Sequence, residues 1–509
     1  MHRPFTIASM DTLRTYDELP YDRLPLPETE PDFLSALAKL HGFEAADAHA
    51  ARVLELGCAQ GGNLIPMAAR YPASEFVGID LSRVQVEEGQ MFIERIGLSN
   101  IRLLHGDIAA LPDKLGEFDF IIAHGVYSWV PDFVREALLA VCRRLLKPQG
   151  IAYASFNVEA GWKLYGRIRE ALLRQDDASL SPMQRVMRAR ETLAAMQDDD
   201  ERLAKEIAYL KTASPSYLFH EYLSEINQPF SFEAFVESAS RHGLRYLGEA
   251  GPRRARVVLE NDWGLSAESR HARWLEAEAR LDEALQTRFR RALLVRDDVP
   301  VPAPQQPERL ASLSFSAELA SDDELDFSEA TEQHFQTRTG ERYPVSHPLL
   351  KAFLLALAGA WPDVVDYQTV LDHALSLAKE YGYTGEVDDA FREALLDFVQ
   401  LHGLRLHTRS RILARSETGL PRASLLAAIQ AGSEAWPVTN HFHQALDLDE
   451  WGRWLITVMD GETPLERLAR QLAGKLEAAG IKFAPEQALQ AVASYSKLFA
   501  MQGIIVWHA

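Results

Sequence analysis

Residues 53–64, VLELGCAQGGNL, run an apolar strand through an acid straight into a glycine-rich turn that opens a helix. That junction is the strongest constraint in the chain, because a buried strand feeding a helix through bare backbone belongs to open α/β sheets that bind ligands beyond their strand ends. The same beat continues downstream. Strands are predicted at 52–56, 75–80, 101–105, 118–125 and 151–157, and helices at 61–71, 82–97 and 132–147. Alternation of this kind predicts the α/β class with a Rossmann-like, parallel, doubly wound sheet.

Charge narrows the ligand. Gly57-x-Ala59-x-x-Gly62 matches a nicotinamide fingerprint only with alanine at the second glycine, and Asp80 closes the second strand at about the ~20-residue spacing of a ribose-binding acid. A pyrophosphate needs free N–H groups and no adjacent carboxylate, yet Glu55 stands two residues before Gly57. A negative lead-in suits a cationic ligand end, such as the sulfonium and ammonium of S-adenosylmethionine. Glu55, Gly57, Gly61 and Asp80 form the expected cofactor constellation, with Leu81 following Asp80. In HGDIAALP, Asp107 and the next backbone N–H, that of Ile108, are placed to read adenine, with the carboxylate accepting from its exocyclic amine. HGVYSWVP, residues 124–131, follows the fourth strand where a methyl group would emerge, which makes His124, Tyr127 and Trp129 the candidate catalytic wall. No Asp/Asn-Pro-Pro-aromatic clamp follows that strand, and no Gly-x-Ser-x-Gly elbow occurs in the chain.

The 509 residues carry a net charge of −20, which argues against a nucleic-acid partner because phosphate binding needs a basic face. Two cysteines, Cys58 and Cys142, without a CxxC or Cys/His cluster, predict no metal site and a reducing, cytoplasmic home. The longest apolar run, LLKAFLLALAGAW, contains Lys351 and falls short of the ~18 residues a membrane span requires, so no membrane insertion is expected.

Past the sheet, 162–218 reads as charged helices, and FEAFVESASRHGLRYLGEA as a helix and a strand that return to the sheet edge. A further helix and a basic strand follow, and VPVPAPQQP is a linker by composition. The seven acids of AELASDDELDFSEATE read as a solvated loop or edge strand. Helices are expected from Pro348, Asp366 and Glu386, then over 448–459, 464–478 and 485–501, with glycine stops at Gly403 and Gly503 leading into strands. Winged-helix-like units fit that order, and eight acids against six bases in 446–509 argue against DNA reading. The expected division is 1–45 as an N-terminal cap, 46–160 as the cofactor domain and 161–298 as a helical segment returning to the sheet. Residues 299–308 form a linker, and 309–420 and 421–509 two winged-helix-like domains.

TYDELPY, LELGCAQGGNLIPMA, FVGIDLS, FDFIIAHGVYSWVP, LKPQGIAYASFN, HEYLSEIN and HPLLKAFLLAL together resemble bacterial class I methyltransferases with a methyltransferase regulatory domain, in particular the rickettsial lysine methyltransferases of an outer-membrane protein. The resemblance implies S-adenosylmethionine as cofactor, a protein or peptide lysine as acceptor and a homodimer, with 162–218 the segment to examine for its contact. It carries cofactor roles to Glu55, Gly57, Gly61, Asn63, Asp80 and Asp107, and folds Tyr16 and Tyr21 over the cofactor. His124 to Pro131 match the catalytic-face loop, while Phe156 stands where the family pattern has tyrosine, which puts the acceptor in question. On this reading Tyr127, Trp129 and Tyr21 line a partly dry pocket that holds a neutral amine. Two rivals stay open: a small-molecule methyltransferase with accessory lid domains, and a cofactor-binding interaction protein without turnover.

Overall fold

The computed structural model describes residues 15, 17–251, 264–338, 340–402, 404–413 and 419–508. These form two compact units. The first holds the described residues up to Arg23, His49–Ala250 and 264–303, and the second holds Leu24–Ala48, Gly251 and the chain from Pro304 onward.

The first unit is built on a seven-stranded sheet. Its strands are β1 (Arg52–Leu56), β2 (Glu75–Asp80), β3 (Ile101–His105), β4 (Phe118–Ala123), β5 (Leu146–Asn157), β6 (Leu244–Glu249) and β7 (Phe289–Arg296), in spatial order β3-β2-β1-β4-β5-β7-β6. The first five pair in parallel, and β4 is buried along its whole length, as a strand covered on both faces must be. Helices α1 (Leu64–Arg70), α2 (Arg83–Ile96) and α3 (Asp132–Leu145) make the crossovers. Ser82 caps α2 by accepting from the Gln85 N–H, and Gly97 ends it in the left-handed region at φ 77°.

The expected all-parallel sheet is corrected at its far edge. β7 enters between β5 and β6 and runs antiparallel to both, so the sheet is mixed. The expected helix-strand return does reach the edge, as α7 (Phe232–Arg241) and β6, after α4 (Glu159–Gln175), α5 (Pro182–Ala195) and α6 (Glu201–Leu210). α4 to α6 bury their own cluster of Ile168, Leu172, Leu193, Leu203 and Ile207. α8 (Ala267–Leu285) packs beside β7, and the buried Arg290 of that strand is neutralised by Asp282 at 2.7 Å, Glu278 at 3.0 Å and Glu249 at 3.1 Å. KPQG, expected as a turn, continues β5 instead, across a register shift opposite Phe118 and Phe120.

In the second unit the expected helices are Pro348–Ala360, Tyr367–Glu380, Asp389–His402, Glu450–Val458, Leu465–Ala478 and Pro485–Met501, with the closing strand Ile505–His508. Gly403 lies outside the described residues. The helix Pro31–Leu40 belongs to this unit, where Asp32 bonds His407 Nδ1 at 3.1 Å and Ser316 bonds His407 Nε2 at 2.9 Å. The chain passes from the first unit into the second after Arg23.

Candidate functional site

The carboxyl ends of β1, β2, β4 and β5 converge on one rim. At the end of β1, Glu55 is 3 % exposed, and its Oε1 accepts from Asn63 Nδ2 at 2.9 Å. Its Oε2 is buried with no partner. Burial pushes this carboxyl up to about 7, opposed by the Asn63 hydrogen bond and helped by the nearby Asp80 charge. A protein that buries a carboxylate oxygen and leaves it bare has a donor or cation missing from its accounting.

The turn is shaped to bring ligand close. Gly57 sits at φ 79°, and a Cβ there would lie 2.7 Å from Val126 of the loop after β4. Gly61 is at φ 80°, and Ala59 between them is also left-handed, at φ 48°. Asp80 holds that conformation, since its Oδ2 accepts from the Ala59 N–H and its Oδ1 from the Ser82 N–H, both at 2.8 Å. Burial raises the Asp80 carboxyl, with backbone N–H groups, including that of Leu81, acting the other way. Asp107 Oδ1 accepts from the Ala109 N–H at 2.8 Å and opens a single helical turn in which Ile108 is half-buried. Acids thus lie at the ends of three neighbouring strands, and Glu55, Asn63 and Asp80 with the turn fit a ligand that has a cationic end and ribose hydroxyls.

Across the rim, His124 Nδ1 and the Tyr153 hydroxyl are hydrogen-bonded at 2.8 Å, and Phe289 meets the half-buried His124 ring edge-on at 5.8 Å. Gly125 N–H donates to Ser155 Oγ at 2.8 Å, and Asn157 N–H to Ser128 Oγ at 2.9 Å. Sequence reasoning missed Tyr153, Ser155 and Phe289, although alternation along IAYASFN puts 153, 155 and 157 on one face.

Phe156 and Tyr127 both lie in the hydrophobic core beside this face. Phe156 points to the opposite face, stacked on Phe235 at 4.2 Å, so a tyrosine there would put its hydroxyl in the core and not at an acceptor amine. Tyr127 is 2 % exposed, with its ring among Phe230, Phe235 and Phe156, and supports the wall from behind. Trp129 is likewise buried.

Tyr16 lies outside the described residues. Tyr21 stacks on His220 at 4.1 Å within a strap tied on both sides. On one side Ser214 Oγ and Ser216 Oγ donate to Asp22 and the Pro20 carbonyl, each at 2.9 Å, and His220 Nε2 donates to the Leu19 carbonyl at 2.7 Å. On the other, Arg23 pairs with Glu88 at 2.6 Å, and its backbone crosses so near Gly62 that a Cβ would lie 2.7 Å away. Among the described residues no His/Cys/Asp/Glu group is arranged to hold a metal, and no helix is long and apolar enough to cross a membrane.

Three family models match the chain: a methyltransferase domain over residues 53–150, a predicted methyltransferase regulatory domain over 214–296, and the C-terminal winged helix domain of PKMT over 420–501. The uncharacterized protein RP028 of Rickettsia prowazekii (strain Madrid E) is 34% identical over 241 residues, 46% of this chain and 96% of that protein. RP789 of the same organism, also uncharacterized, is 29% identical over 480 residues, 91% of this chain and 86% of its own length. The structure of PKMT2 from Rickettsia typhi in complex with AdoHcy shares the fold at a TM-score of 0.79 and 23% identity, covering 96% of this chain and 100% of that one.

Proposed function

This chain belongs to the class I S-adenosylmethionine-dependent methyltransferases with a methyltransferase regulatory domain, and from that premise we propose that it methylates lysine side chains of a protein substrate. The observation that carries the proposal is the C-terminal segment 420–501, which matches the winged helix domain of PKMT. The net charge of −20 also suits a lysine-bearing polypeptide.

When bound, S-adenosylmethionine supplies an activated methyl on a sulfonium. Glu55 and Asn63 would hold its cationic end and Asp80 the ribose hydroxyls, while Asp107 would accept from the adenine amine and the Ile108 N–H would donate to an adenine ring nitrogen. Gly57, Gly61 and Gly62 keep the backbone bare, and Tyr21 closes the strap over the turn. The acceptor must arrive as a neutral amine although a lysine's reference pKa is about 10.4. A partly dry face walled by His124, Tyr153 and Phe289 would lower that value by desolvation, and the positive charge that a bound methyl donor supplies would add to the effect. His124 is fixed by Tyr153 and aims at the acceptor, while Tyr127 and Trp129 hold the loop that carries it. The two buried free thiols, Cys58 and Cys142, fit a reducing cytoplasm, and we assign the dimer contact to 162–218.

The test supplies methyl-labelled S-adenosylmethionine with poly-L-lysine and with the same polymer after its amines are acetylated. Label on the first alone supports the reading. Label on neither, with label on free small amines, contradicts it.

A further inference from the structure

The segment HEYLSEIN folds its first four residues into a π-helix, Phe219–Leu223, an irregularity that recurs at functional sites because it re-aims side chains. His220 faces the Tyr21 strap, and Tyr222 donates to Glu206 at 2.5 Å while accepting from Arg288 at 2.9 Å. Glu221, between them, is half-buried, and its carboxylate makes no hydrogen bond or ion pair with a described residue. It has no structural duty to explain its burial.

Its position is fixed relative to the rim. The Glu221 carbonyl accepts from Asn227 Nδ2 at 3.3 Å, and Asn227 Oδ1 accepts from Asn157 Nδ2 at 2.9 Å, at the carboxyl end of β5. Asn157 in turn donates to Ser128 of the loop that carries His124, and Gln228 N–H donates to the Ser128 carbonyl at 2.8 Å. Arg288, whose charge acts on Glu221, directly precedes Phe289, the ring against His124. Beside this carboxylate stands Tyr217, with Arg288 already paired to Glu206 at 2.9 Å.

We propose that Glu221 receives the acceptor ammonium and takes its proton, so that the amine reaches the methyl donor neutral. The inference rests on the lysine reading above. In the step, one N–H bond of the ammonium breaks, an O–H bond forms on the Glu221 carboxylate, and the amine keeps the electron pair. Burial suits the residue to this task, raising its carboxyl to about 7 against the lowering influence of Arg288, with Glu206 reinforcing the rise.

The test compares the wild type with Glu221→Gln and Glu221→Asp in transfer to poly-L-lysine as the pH is raised through neutrality. Expected in the wild type is a kcat/KM that climbs and levels near the Glu221 value of about 7. Glu221→Gln loses the climb and falls by about 10²–10⁴, the range of a removed general base. Glu221→Asp keeps part of the rate, and S-adenosylmethionine affinity is unchanged in both. Calorimetric binding of poly-L-lysine strengthens through the same pH window in the wild type and stays flat in Glu221→Gln. Because the glutamine removes a charge that burial disfavours, that variant melts no lower than the wild type at alkaline pH, which separates lost transfer from lost fold. A Glu221→Gln enzyme that keeps both rate and pH limb overturns this inference alone. A wild type that labels small amines and no lysine polymer overturns the lysine reading itself.

Discussion

Replacing Glu55 by glutamine separates what this residue does for the fold from what it does for the cofactor. The carboxyl rises from an ordinary 4.5 to about 7 because it is buried with one oxygen unpaired. At 1.36 kcal/mol per pH unit, that difference is about 3 kcal/mol against the charged form. A carboxyl raised in the folded state contributes stability that is fully present below its unfolded value and lost as pH climbs to the folded one. The ligand-free wild type should therefore lose about 3 kcal/mol on this group between 4.5 and about 7, and Glu55→Gln should not. Cofactor affinity should move the opposite way. With Glu55 assigned to the cationic end as proposed, affinity should rise with pH up to about 7 and then level. The variant lacks that rise and binds about 10- to 100-fold more weakly above it, the worth of one charge-assisted hydrogen bond of about 1.5–3 kcal/mol. Calorimetric titration with S-adenosylmethionine, beside urea melts of the ligand-free proteins at the same pH values, reads both. A variant that binds as tightly as the wild type, with the same pH slope, refutes the assignment of Glu55 to the cofactor.

Gly62→Ala places a methyl 2.7 Å from the Arg23 backbone and should lift the strap off the turn, so limited proteolysis will cut at Arg23 sooner than in the wild type while the melting temperature changes little. Tyr153→Phe removes the hydroxyl held by His124 Nδ1, so kcat should fall about 5- to 10-fold, the value of one hydrogen bond near 1 kcal/mol, with cofactor affinity unchanged. Ser316, His407 and Asp32 stand in the order of a nucleophile triad, but all three are buried, so Asp32→Asn should affect stability alone. Its hydrogen bonds to His407 and Thr408 hold the Asp32 carboxyl well below the usual carboxylate range, giving stability that is present above about 4 and lost in acid. Urea melts should find the variant about 1–3 kcal/mol weaker at neutral pH, with the gap closing as pH falls.

The first five strands were legible because their signals are local. FDFIIA can only be a strand buried on both faces, and each glycine-marked turn falls where the backbone must cross the rim. β7 was legible as a strand but not in direction, since its partner Asn157 lies more than a hundred residues upstream and only tertiary pairing orients it. Glu55, Asp80 and Asp107 could be read as acids at strand ends, and the structure brings them to one rim. Phe156 was set against a family pattern without the strand's alternation, which puts its ring in the core and the Tyr153 hydroxyl on His124. Tyr127 and Trp129 were read as pocket lining from the loop's place after the fourth strand and its cluster of rings, and the structure buries both rings in that loop. Glu221 escaped notice because a π-helix has no sequence period and its neighbours Glu206, Tyr217 and Arg288 are spread along the chain.

The central claim is transfer to a protein lysine, and locating the methyl group tests it most directly. The purified protein would be incubated with methyl-labelled S-adenosylmethionine and a lysate of its own source, and the lysate then fractionated into proteins and small molecules. The account predicts label on lysine side chains of one or a few proteins, mapped by peptide mass spectrometry. Label confined to the small-molecule fraction would contradict it.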